Sequence, residues 1–381
     1  MKTSLAALLL LSLPAWLQDP APDSGKGPAA VLQPFVERHA LAGAVTLVAS
    51  KEQVLSHEAV GYMDVAAKTP MRPDAMFWIA SQSKSMSAAA LMMLVDQGKV
   101  GLDDPVEKYL PEFKGLLVTV EQDDSHALLR KPAHPITIRN VLSHTSGMRF
   151  SSPVEKPTLD GLSLQAAVRS YAMMPLQFEP DSKYQYSNAG INTAARILEV
   201  VSGTAYEDFM QKNLFDPLGM KDTTFWPNAE QLTRLAKGYK PNAAKDGLEE
   251  TTISQLTYPL SDRRRQPMPA GGLFSTAADV AKFCQMVLNG GEWEGKRYLS
   301  EAAIKQMTTR QTGETLKESY GLGWSTGGGS FGHGGALATN MNIDPKRGLI
   351  TIFLVQHSGF PGDGSKSQGA WRQAVEKQFA R

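Results

Sequence analysis

The 381-residue chain holds one cysteine, Cys284. A single thiol cannot close an intramolecular disulfide, and "AADVAKFCQMVL" around it reads as an apolar helix in which the thiol is buried and structural rather than nucleophilic. Zinc-type spacing is missing as well. The histidines at 39, 57, 126, 134, 144, 333 and 357 form no H-E-x-x-H and have no partner cysteines, so neither a metal site nor another cofactor is expected. Excess charge is also lacking: Lys+Arg 39 against Asp+Glu 38 gives no field that would gather nucleic acid or an anionic membrane. "GGGSFG" at 327–332 fits G-x-G-x-x-G but leads into more glycine-rich strand and no helix, which argues against a dinucleotide site.

Long apolar runs are absent except at the N-terminus, where Leu5 to Leu17 is short for a membrane span and is followed by Pro, Asp and Gly. Residues 1–18 are expected to be an export signal, with an uncleaved anchor or leader as the alternative. No cysteine stands beside it to carry a lipid. The expectation is an exported protein, periplasmic or secreted, with no stable membrane insertion after removal of the signal.

With 42% hydrophobic residues the chain can bury a large core, at about twice the length of a typical domain. From Ala44, "AVTLVASKEQVLSHEAVGYMDV" reads as a β-hairpin, and "YGLGWS", "SFGHGG" and "ATNMNIDPKRGLITIFLVQH" read as strands near the other end. Between them helices are predicted to start at Thr137, Asn188, Thr204 and Thr276, the last with Asp279 completing a capping box. The final "SQGAWRQAVEKQFAR" is predicted to be a helix on the sheet. The fold class is therefore α+β: an antiparallel sheet built from both chain ends (28–78 and 270–381), flanked by helices, with a mostly helical insert at 79–269. Residues 112–136 read as a small hairpin or loop on the helical part. Residues 241–268, rich in Lys, Asp, Arg and Pro, read as an exposed excursion bordering a cleft.

Three short stretches carry chemistry. In Ser81-Gln82-Ser83-Lys84, positions i and i+3 of a starting helix put the Lys84 amine within reach of the Ser81 hydroxyl, and a base beside a hydroxyl is what makes it a nucleophile. A serine ahead of a helix is most often only a cap. Here it is the sole S-x-x-K, and "MSAAALMMLVDQG" behind it is apolar all round, as a buried central helix should be. "YQYSNAG" supplies a phenol, Tyr186, and an amide, Asn188, at the start of another helix. "FGHGGALAT" puts His333-Gly334-Gly335 on a strand whose bare backbone lets a substrate approach.

In that order these motifs resemble the serine β-lactamase and penicillin-binding-protein superfamily, most of all its class C branch of esterases, D-aminopeptidases and D-alanyl-D-alanine carboxypeptidases. "VLSHTSGM", "DPLGM", "PAGGLFSTAADVAKF" and "YGLGW" are similar to the same group, so the likeness spans roughly residues 28–375. The resemblance implies Ser81 as acylated nucleophile, Lys84 as its activator and Tyr186 as general base with its pKa lowered by Lys84. It implies Asn188, His333, Gly334 and Gly335 as substrate-orienting residues, and the backbone N–H groups of Ser81 and Ala336 as an oxyanion hole. His333 departs from the lysine of class C β-lactamases, and a neutral imidazole weakens the anchor for a substrate carboxylate. The implied function is hydrolysis of small esters or amides through an acyl-serine, an esterase first. The alternatives are a D-amino-acid peptidase or carboxypeptidase, a weak β-lactamase, or a non-catalytic penicillin-recognising binding protein. The expected partner is a small ester or peptide substrate. His144 is expected to be a structural residue bonded around a turn, away from Ser81.

Overall fold

A computed structural model describes residues 27–379 of the chain. The expected export signal lies outside these residues. After α1 (Gln33–Glu37) the chain forms β1 (Gly43–Ala49), β2 (Val54–Asp64) and the short β3 (Thr69–Pro70) and β4 (Phe77–Trp78). The long helix α2 (Ser83–Asp96) follows, then β5 (Val118–Gln122), β6 (Ala127–Arg130), α3 (Ile138–Ser143), α4 (Leu164–Ala172), α5 (Asn188–Ser202) and α6 (Tyr206–Met210). Next come α7 (Ala229–Thr233), β7 (Gly238–Pro241), β8 (Leu248–Thr251), β9 (Phe274–Ser275) and α8 (Ala277–Leu288). The chain ends with β10 (Glu292–Trp293), β11 (Lys296–Arg297), α9 (Glu301–Thr308), β12 (Ser325–Gly327), β13 (Ser330–Gly334), β14 (Asn340–Asp344), β15 (Leu349–Leu354) and α10 (Ser367–Phe379).

The main sheet has the order β12-β13-β14-β15-β1-β2-β3. Its neighbours are antiparallel, and both chain ends contribute as expected: β1 pairs with β2 on one side and with β15 on the other, Val45 opposite Leu354. β1 is buried at every position because it is central and covered on both faces. Ala44, Val48 and Phe353 face Leu32, Trp371 and Val375 of the terminal segments, whereas Val45, Leu47 and Ile352 face the larger core beneath α8. The predicted terminal helix is α10. Among the described residues no helix is long and apolar enough to cross a membrane.

Three helix starts stand where the sequence places them, and the details differ for physical reasons. Thr137 caps α3 with a reciprocal box through Asn140. Thr276 caps α8, but the box does not close: the Asp279 carboxylate accepts from the Asp222 amide at 2.7 Å and from Lys282 at 2.9 Å instead. The helix expected at Thr204 starts at Tyr206, whose amide is taken by Glu199 of α5 at 3.1 Å. Residues 112–136 do hold a hairpin, β5–β6. In 241–268 only part is exposed: Arg265 turns inward onto Asp160 at 2.7 Å and donates to the Phe225 carbonyl at 3.0 Å. Its partner lies a hundred residues away, so the local composition could not show it.

β4 and β9 pair, Trp78 opposite Phe274. This short ladder sits where the sheet meets the helical part, and it brings Ala80–Ser81 beside Ala270–Gly271.

Candidate active site

Between Ala75 and Leu94 every residue is buried except Ser81, which is half-buried. The turn that lifts it out is strained: Ala80, with φ +47°, occupies the left-handed region that a side chain disfavours. A 3-10 turn then leads into α2. Ser83 holds this turn, donating to the Ala80 carbonyl at 2.6 Å and accepting from the Leu273 amide at 3.2 Å. Its role is structural, and Ser85 and Ser87 are likewise committed to the Gly323 and Pro269 carbonyls.

Lys84 Nζ lies 3.1 Å from Ser81 Oγ and donates to the Ala270 carbonyl at 2.6 Å. The amine is fully buried, and desolvation puts its pKa well below the ordinary lysine value. Burial therefore favours the uncharged, proton-accepting form of the amine beside the serine. Its nitrogen is 4.6 Å from the Tyr186 ring centre, and the phenol is hydrogen-bonded to Ser81. The expected lowering of the Tyr186 pKa is reversed: burial pushes the phenol up, and the bond to Ser81 only partly offsets it. Burial thus favours the protonated phenol.

Asn188 opens α5, its amide donating to the Phe150 carbonyl at 3.0 Å. Its buried Oδ1 has no hydrogen-bond partner among the described residues, and the residue lines a cavity shared with Ser81. Ser187 caps α5 and donates to the Arg149 carbonyl at 2.7 Å. His144 is not remote from Ser81 as the sequence reading has it. It ends α3 at φ +64°, and because α3 packs on α5 its ring comes within 4.6 Å of the Tyr186 ring centre. Nδ1 accepts from the Ser187 amide at 3.2 Å, which is the turn-bonding role expected of it.

His333 on β13 completes the wall. Its Nδ1 lies 2.7 Å from the Gly334 carbonyl and its Nε2 2.9 Å from Tyr320 Oη. These partners fix the tautomer: Nδ1–H donates to the carbonyl and Nε2 accepts from the phenol. Burial, with Lys84 adding to it, brings the imidazole pKa down to about 3. The third motif is therefore uncharged. Gly335 donates to the Thr339 carbonyl at 2.8 Å, which leaves the next amide, that of Ala336, at the cavity. The cavity holds about 360 Å³ and is walled by Trp78, Phe150, Tyr186, Met268 and His333. Among the described residues no Asp, Glu, Lys or Arg lines it.

Three buried imidazoles resist protonation in the fold: His144, His333 at about 3 and His357 at about 4, each mainly through desolvation. In the unfolded chain they take a proton near their ordinary value of about 6.5. Below that pH the unfolded state binds more protons, so stability is full above about 6.5 and is lost as pH falls. The melting temperature is expected to decline from near pH 6.5 downward, with a shallower slope in His333→Gln. An unchanged slope in that variant would show that His333 does not contribute.

The family model for beta-lactamase matches residues 29–376. The chain belongs to the beta-lactamase family. An uncharacterised protein of Mycobacterium tuberculosis is 31% identical over 356 residues, 83% of this chain and 86% of that one. Esterase EstB of Burkholderia gladioli is 27% identical, covering 91% and 93%. Among solved structures EstCE1, described as a hydrolase with promiscuous acyltransferase activity, superposes with a TM-score of 0.75 at 25% identity over 91% of this chain and 97% of that one. These likenesses agree with the resemblance drawn from the motifs. Within this beta-lactamase-family fold the structure brings Ser81, Lys84, Tyr186, Asn188, His333, Gly334, Gly335 and Ala336 around one cavity. Sequence reasoning missed Tyr320, Trp78, Met268 and Ala270. The stretches "YGLGW" and "PAGGL" flagged two of them, but a carbonyl that anchors a lysine leaves no mark in side-chain chemistry.

Proposed function

We propose that the protein is a serine hydrolase that cleaves small uncharged esters through an acyl intermediate on Ser81. The observation that carries this reading is the single accessible hydroxyl in a buried twenty-residue stretch, set 3.1 Å from a desolvated amine. Ser81 Oγ attacks the ester carbonyl carbon as its proton passes to Lys84 Nζ. The negative oxygen that forms is held by the Ser81 and Ala336 amides. The C–O bond to the leaving alcohol then breaks, and that oxygen takes a proton through the Tyr186 phenol, which is replenished from the Lys84 ammonium. Water, giving its proton back along the same path, attacks the acyl-serine and releases the acid. Asn188, with its free Oδ1, and the bare edge at Gly334 orient the substrate.

The uncharged cavity selects within the family. A β-lactam or a D-alanyl peptide presents a carboxylate, and neither a neutral His333 nor any other cavity side chain offers it a cation. The esterase relatives support an ester substrate. Intact-mass spectrometry after a fluorophosphonate is expected to show one adduct, absent from Ser81→Ala, and short-chain p-nitrophenyl esters should turn over faster than D-alanyl peptides or a chromogenic cephalosporin. No adduct on the wild type overturns the proposal. Faster cleavage of the carboxylate-bearing substrates overturns the ester assignment.

A further inference from the structure

Glu155 is a buried carboxylate, 4% exposed, with no Lys, Arg or His paired to it among the described residues. Burial raises its pKa. Such a group is costly unless its hydrogen bonds are put to use. Its Oε2 accepts from the Ser152 amide at 2.6 Å, and its Oε1 from Tyr171 Oη at 2.6 Å. Tyr171 Oη in turn accepts from Asn192 Nδ2 at 3.0 Å, and Asn192 Oδ1 accepts from the Ala270 amide at 3.2 Å. The carbonyl of that same Ala270 is the one that holds Lys84 Nζ at 2.6 Å. Tyr171 and Asn192 are each 3% exposed, so water does not compete along the string.

We propose that Glu155, Tyr171 and Asn192 are positioning residues that set the Lys84 amine against Ser81 through the Ala270 backbone. This rests on the reading of Ser81 and Lys84 as the acylating pair. The polarity of the string is what requires a carboxylate. With Oε2 taking the Ser152 amide, an ionised Glu155 accepts at Oε1 from Tyr171, and the phenol oxygen is left to accept from Asn192 Nδ2. That turns Asn192 Oδ1 toward the Ala270 amide and fixes the residue whose carbonyl anchors the base. A glutamine at 155 would offer its oxygen to Ser152 and its NH₂ to Tyr171. The phenol would then face two donors and its own proton would lose its acceptor. The same string starts on the loop that carries Phe150 to the cavity mouth, so the substrate wall and the base share one frame.

The test is single-turnover acylation by a p-nitrophenyl ester in Glu155→Gln and in Tyr171→Phe, with melting temperature as the folding control. Each folded variant is expected to acylate about ten-fold or more slowly with KM unchanged, since displacement of a catalytic group lowers the rate of the bound complex. The double variant should fall no further than the worse single one, because both cut one string. If one variant does not fold, the other decides. Wild-type acylation in a folded variant, a change confined to KM, or additive losses in the double variant would each overturn the relay. Failure of the wild type to form any adduct would instead remove the reading of Ser81.

Discussion

Lys84→Met is expected to abolish ester turnover, by roughly a thousand-fold or more, and at the same time to raise the melting temperature by a few degrees. The two effects share one cause. The amine has no exposed surface, and among the described residues its hydrogen bonds run to Ser81 and the Ala270 carbonyl, with the Tyr186 ring centre 4.6 Å from the nitrogen, so the fold carries most of its desolvation. Methionine fills similar volume without a group that prefers water. It leaves the Ala270 carbonyl without its donor, a cost of about 1–3 kcal/mol, against the larger penalty removed with a buried amine. Turnover and thermal unfolding of the one variant check both halves. A variant that loses activity and also melts lower would show that the amine contributes more to the fold than its burial costs.

Gly335→Ala is expected to reduce turnover by about a hundred-fold or more and to destabilise the protein, while Gly334→Ala leaves the melting temperature unchanged. A Cβ at 335 would stand 2.1 Å from Thr339 Oγ1 and 2.6 Å from the Ile79 carbonyl, both impossible contacts. Ile79 lies two residues before Ser81, so the strand edge would have to retreat from the turn that carries the nucleophile. The gap between the Ser81 and Ala336 amides would widen, and one donor to the negative oxygen would be lost. At Gly334 a Cβ finds nothing nearer than 3.7 Å, so any effect there belongs to the substrate and should appear in KM. Equal stability of the two alanine variants, measured by thermal unfolding, would count against this account. The sequence treats both glycines alike, as bare edge for a substrate; only one of them is required by the chain itself.

What the sequence made legible was whatever depends on local spacing. The Ser81–Lys84 pair is one helical turn long, the hairpin from Ala44 announces itself by alternation, and Thr137 and Ser187 cap where helix starts were read. What it concealed depends on distant partners. Arg265 looked like a surface charge because Asp160 is far along the chain, and His144 looked remote because the packing of α3 on α5 is not written in either helix. The Tyr186 phenol was read with the wrong sign for a related reason: the burial that raises it is a property of the assembled core.

The pairing of β1 with β15 also sets an order in time. Residue 45 waits for residue 354 before the sheet has a centre, and α10 can close the outer face only after that. A chain that emerges N-terminus first, from a ribosome or through a pore, therefore carries the hairpin β1–β2 with one unsatisfied edge for nearly its whole length. The turn that presents Ser81 leans on Leu273 and Thr339, so the nucleophile is assembled among the last parts of the molecule, when almost all of the chain has arrived.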